Sequence, residues 1–129
     1  MSLFNKMNGL LGNATEVSPE EIAEVSSMLL TQMEVVERSY KLVRDLFIFT
    51  NQRLIICDYQ GVTGKRVSYL SIPYKSITHF NVQSAGHFDL NSELFIYISG
   101  SPEPIVKTFN NRTNVYEIQA MLATYVLNS

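Results

Sequence analysis

The chain has 129 residues, the usual length of one domain and enough to bury one core. Apolar residues make up 46% and charged residues 17%, which excludes an intrinsically disordered chain. A formal net charge of −2 excludes the broad positive field of a non-specific nucleic-acid binder, so no nucleic-acid partner is expected beyond what a local basic patch would hold.

In chain order, Leu3, Phe4, Met7, Leu10 and Leu11 recur at helical spacing and predict a first helix stopped by Gly12-Asn13. Asn5, Lys6 and Asn8 interrupt its apolar side, so no signal peptide is expected. Ser18-Pro19-Glu20-Glu21 is a second start: Ser18 caps, Pro19 suits the first helical position, and Glu21 reaches back to the cap amide. Ile22, Val25, Leu29 and Met33 form the apolar face of a helix predicted to run to about Leu30.

From Glu34 the period changes to 2, with Val36, Arg38, Tyr40 and Leu42 alternating with Val35, Glu37, Ser39 and Lys41. Arg44-Asp45 makes a tight connection, and Leu46 to Phe49 reads as a strand covered on both faces. Thr50-Asn51-Gln52 supplies turn chemistry before a strand from Arg53 to Asp58. Gly61 and Gly64 mark a hairpin loop, Val67 to Ile72 a further strand, and Pro73 its end. Tyr74-Lys75-Ser76 turns a corner into Ile77 to Gln83, which puts Phe80 and Val82 on one face and His79, Asn81 and Gln83 on the other. Ser84 to Ser92 reads as a loop. Leu94 to Ser99 and Ile105 to Phe109 form a last hairpin across Gly100 to Pro104. Asn114, with Glu117 three residues on, caps a final helix whose stripe is Val115, Ile118, Leu122 and Tyr125. About seven short strands followed by an amphipathic helix predict a mainly β (α+β) domain, an antiparallel barrel of two packed sheets with the helix plugging its open end.

Asp45-Leu46-Phe47-Ile48-Phe49-Thr50-Asn51-Gln52-Arg53-Leu54-Ile55-Ile56 resembles the strand–turn–strand signature of the bacterial pleckstrin-homology-like (PH-like) family. Ser71 to Ile77, where a strand stops at a proline and a short corner leads into the next, resembles the second landmark of that family. The resemblance covers about Val35 to the C-terminus. It implies a PH-like domain over residues 34–129 preceded by an N-terminal helical extension over 1–33. It also implies a non-catalytic module whose relatives close into homo-oligomeric rings, five-fold for single-domain members. Such rings meet protein partners at polar surfaces where subunits join, and a head-to-tail contact must close by rotation. The partner is unknown from the sequence. Phosphoinositide binding, the function of eukaryotic relatives, needs several cations between the first two strands. Here that loop is about Val43-Arg44-Asp45 with Lys41 nearby, too short and too weakly basic.

Thr50, Arg53 and Pro73 are read as scaffold: Thr50 and Asn51 serve the turn backbone, and Arg53 forks onto carbonyls or a carboxylate. The polar positions Asn51, Gln52, His79, Asn81 and Gln83 make up the expected interaction surface. Gly61-Val62-Thr63-Gly64-Lys65 is too short for a phosphate loop, has Arg66 where Ser or Thr is needed, and sits between strands. His79, His87 and Asp89 offer metal-ligand types without metal spacing, so no metal and no cofactor is expected. Cys57 reads as a buried thiol, and one cysteine allows no internal disulfide, which suits the cytoplasm. The sequons at Asn13 and Asn111 then carry no meaning. No hydrolase or zinc-protease motif occurs.

Phe47, Phe49, Phe80, Phe95, Tyr97 and Phe109 lie at core spacing. Met28, Leu29, Leu30 and Met33 offer more apolar surface than one contact needs. The first helix, with Lys6 as its only cation, is expected to pack within the assembly and not on a membrane. No apolar run reaches the roughly 18 residues of a membrane span. Two other readings compete: a ligand-binding or hydrolytic α+β cone domain, and a weak lipid-headgroup binder.

Overall fold

A computed structural model of the chain describes residues 16–17, 22–42, 44–60, 66–84, 91–110 and 114–129. The first predicted helix, Ser18 to Glu21, the loop Gly61 to Lys65, His87, Asp89 and both sequon asparagines lie outside the described residues. The elements are β1 (Glu16–Val17), α1 (Ala23–Leu29), β2 (Val36–Lys41), β3 (Asp45–Thr50), β4 (Arg53–Gln60), β5 (Arg66–Pro73), a single 3-10 turn (Tyr74–Ser76), β6 (Ile77–Gln83), β7 (Ser92–Ile98), β8 (Ile105–Phe109) and α2 (Val115–Val126). They form a five-stranded antiparallel sheet in the order β1 to β5 and a three-stranded one in the order β6 to β8. The predicted pair of antiparallel sheets with a C-terminal helix is therefore what the chain builds.

The strand β1 was not expected. Glu16 and Val17 pair with Tyr40 and Ser39, covering the edge of β2. Two residues are too few to show a period, which is why the sequence did not reveal them.

The core sits between the sheets. Phe47 and Phe49 of β3 and Leu54 and Ile56 of β4 meet Leu94 and Ile96 of β7 and Phe109 of β8, all of them buried. Edge-to-face ring contacts join Phe47 to Phe49 and to Phe109. The helix α2 closes this core with Val115, Ile118 and Leu122. Its start is fixed by Asn114, whose side chain accepts the Glu117 amide at 3.2 Å. The Glu117 carboxylate is drawn instead to Arg38 on β2, at 2.9 Å.

All six residues of β3 are buried because both of its faces are covered. On the outer face, Leu46 and Ile48 of β3 and Ile55, Cys57 and Tyr59 of β4 form a second cluster with Ile22 and Val25, which α1 brings down onto them. The end of α1 falls within a residue of the expected one, but Met33 does not belong to its apolar face. The helix ends at Leu29, Leu30 is extended, and Met33 lies beyond it, 78% exposed. Among the strand aromatics, most of which were expected in the core, Phe95 and Tyr97 are the exceptions. Their cross-strand partners are Asn81 and His79, so both rings lie half-buried on the outer face of the three-stranded sheet.

Candidate interaction surface

The turn between β3 and β4 is built around a carboxylate. The Thr50 hydroxyl donates to Glu34 Oε2 at 2.6 Å and accepts the amides of Gln52 and Arg53 at 3.0 and 2.9 Å. Arg53 forks onto the same carboxylate, Nε to Oε2 at 2.8 Å and Nη2 to Oε1 at 3.0 Å. Its remaining donors reach the Leu29 carbonyl at the end of α1 and the Ser71 hydroxyl on β5. The Thr31 amide adds a bond to Glu34 Oε1. Burial alone would raise the pKa of Glu34. The hydrogen bonds from Arg53, Thr50 and Thr31 outweigh it and bring the carboxyl down to about 2. Glu34 was missed in the sequence because it stands 16 residues before Thr50 and looks there like the start of a strand.

That node holds up one wall of an open groove of about 380 Å³. Asn51 and Gln52 line it from the turn, Pro73 and Lys75 from the corner, and Tyr125 and Asn128 from the end of α2. The Asn51 side chain also anchors the turn, accepting the Val35 amide at 2.9 Å. The Tyr125 ring lies parallel to Tyr74, with centroids 4.9 Å apart, and its hydroxyl donates to Glu37. Burial first, and then the Glu37 carboxylate, push the Tyr125 phenol up to about 12, so the phenol stays protonated at neutral pH. The Tyr74 hydroxyl donates to the Thr50 carbonyl at 2.7 Å, tying the corner to the turn.

The structure does not gather the five expected surface residues into one site. Asn51 and Gln52 line the groove. His79, Asn81 and Gln83 are exposed on β6, opposite Tyr97, Phe95 and Glu93 of β7. His79 stacks on Tyr97 with centroids 4.1 Å apart, and Val106, 42% exposed, lies opposite Phe95 on β8. This sheet face is polar along β6, while β7 and β8 set Phe95, Tyr97 and Val106 beside Glu93 and Thr108.

A second cleft, of about 360 Å³, lies where β2 connects to β3 and is lined by Arg44, Asp45, Asp58 and Lys107 among others. Arg44 donates to the Tyr59 carbonyl through Nε and Nη2. Lys107 Nζ lies 3.5 Å from Asp45 and 3.8 Å from Asp58. Two cations face two carboxylates, so the cleft is formally neutral. Burial, and then Asp45, push the Cys57 thiol up to about 12, which keeps it protonated. No group of three or more His, Cys, Asp or Glu among the described residues is placed to hold a metal. No described helix is long and apolar enough to cross a membrane.

Two packed antiparallel sheets whose open end is filled by a C-terminal helix define a pleckstrin-homology-like barrel. The chain belongs to the bacterial PH domain family, whose model matches residues 5–126. It is 50% identical over 118 residues to a Bacillus subtilis protein described as uncharacterized protein YjqA, covering 91% of this chain and 94% of that one. It is also similar to the crystal structure of a pleckstrin homology domain from Shewanella amazonensis, with 50% identity, a TM-score of 0.80, and coverage of 94% and 98% of the two chains. A protein from Shewanella loihica with a pleckstrin-homology domain is 46% identical, with a TM-score of 0.77 and coverage of 88% and 97%.

Proposed function

We propose that this chain is a non-catalytic PH-like module of the cytoplasm that closes into a homo-oligomeric ring, a pentamer by preference, and binds a protein partner on polar surface near the subunit contacts. The observation that carries the reading is β5. It is an eight-residue strand at the edge of its sheet, with no charge between Arg66 and Pro73. Tyr69 and Leu70 are 39% and 42% exposed on it. Proteins that remain monomeric protect such edges with charges, bulges or covering segments. An edge of this length, unpaired among the described residues, favours pairing with another subunit. In a ring the contact is head-to-tail, so the surface that meets β5 is a different one on the neighbour. The preference for five subunits rests on the family resemblance. The groove at Asn51 and Gln52 and the face carrying His79, Asn81 and Gln83 are the surfaces left for the partner.

Leu70→Lys tests the reading, because it places a charge in the middle of the edge. The expected outcome is loss of the oligomer in sedimentation velocity, with the far-ultraviolet circular dichroism of the wild type retained. An oligomer that persists unchanged in the variant overturns the assignment of β5 as the contact.

A further inference from the structure

Asp45 opens β3, and Asp58 lies directly opposite it on β4, so the two carboxyl groups leave the same face of the sheet as neighbours. Like charges in that relation repel. Asp45 is only 9% exposed, and its Oδ1 is fully enclosed without a hydrogen-bond donor. Lys107, reaching across from β8 of the other sheet, is shared between Oδ2 of Asp45 and Oδ2 of Asp58. Lys107 is thus divided between two facing carboxylates, and one buried oxygen is left without a partner. A single proton held by Asp45 answers both: it removes the repulsion between the facing carboxylates and gives the enclosed carboxyl a hydrogen bond to donate.

We propose that Asp45 and Asp58 act as a proton-sharing pair, and that taking up or releasing the shared proton switches how firmly Lys107 latches the three-stranded sheet to the five-stranded one. Burial raises the pKa of Asp45. Lys107 opposes that rise and Asp58 adds to it, with the net direction upward. The charged and titratable groups around the pair, among the described residues, are Arg44 before β3, Asp58 and Cys57 on β4, and Lys107 on β8. Cys57 remains a neutral thiol, so it adds no charge. With the proton in place the cleft carries a formal charge of +1, from two cations and one carboxylate. Without it the cleft is formally neutral, and Lys107 is divided between the two facing carboxylates. A group whose pKa is raised in the folded chain favours folding below its unfolded value and loses that contribution as pH rises through the folded one. Lys107 therefore matters most on the alkaline side of the step.

The test is a carbon-13 NMR titration of the aspartate carboxyl groups in the full chain. The expected result is an Asp45 carboxyl that takes up its proton above the ordinary aspartate range. Asp58→Asn removes the facing charge and keeps the shape, and it is expected to move the Asp45 step downward. Lys107→Gln is expected to move it upward and to reduce stability more above the step than below it. An Asp45 step at the ordinary aspartate position, or an Asp45 curve unmoved in Asp58→Asn, overturns the proposal.

Discussion

Glu34 is 5% exposed, yet its carboxyl is held ionised to about pH 2 by Arg53, Thr50 and the Thr31 amide. A group with a depressed folded pKa stabilises the fold above its unfolded value and loses that contribution as pH falls through the folded one. The window here runs from the ordinary 4.5 down to about 2. The contribution at neutral pH is about 3 kcal/mol by linkage. Glu34→Gln is therefore expected to be less stable than the wild type in urea at pH 7 and to differ from it much less at pH 2. A gap that stays constant across that range contradicts the assignment. Arg53→Ala leaves the carboxylate buried without its cation and is expected to cost about 3–5 kcal/mol, read by the same denaturation. At this scale the sequence was legible only where chemistry is local. Thr50 and Arg53 stand three residues apart and announce a turn that one of them closes by hydrogen bonds. The carboxylate they share comes from a segment whose own neighbours say nothing about the turn. The Asp45–Asp58 pair was hidden in the same way, because only the strand register places those two residues face to face.

The strands and α2 were legible as elements because their periods are set by burial. Phe47 and Phe49 face the inter-sheet core while Leu46 and Ile48 face outward, so β3 reads as continuously apolar. That run showed that something covers the outer face, and the structure supplies α1, through Ile22 and Val25. Ile22 is fully buried there. Ile22→Ala is expected to cost about 2–5 kcal/mol of stability. It is also expected to raise the hydrogen-exchange rates of the β3 and β4 amides more than those of β7 and β8. A variant within about 0.5 kcal/mol of the wild type, the ordinary range for a surface change, contradicts the packing. Alternation misled at β7. Phe95 and Tyr97 are large aromatic residues at strand spacing, but register pairs them with exposed Asn81 and His79. Hydrophobicity marks which residues favour burial, while the number of covering layers decides which obtain it. The outer face of the three-stranded sheet leaves both rings half-buried, with His79 stacked on one of them.

The whole molecule is a barrel with a plugged end, an apolar cover on one sheet and several apolar side chains left outside. Met28 and Met33 are 66% and 78% exposed, as are Tyr116 and Leu127 at 63% and 76%. Scattered singly, such residues need no explanation, but taken with a β5 edge unpaired among the described residues they favour an account in which the chain works as an assembled unit. The PH-like barrel was legible in the sequence because the Thr50–Arg53 turn and the Pro73 corner are properties of one chain. How copies meet is not encoded in any local period, since an exposed strand and an interface strand follow the same alternation. Light scattering coupled to size-exclusion chromatography, run at high micromolar concentration, therefore tests the central claim most directly. The account predicts a single species of about five times the 14.7 kDa chain mass, converted to smaller species by Leu70→Lys. A strict monomer at that concentration would contradict it.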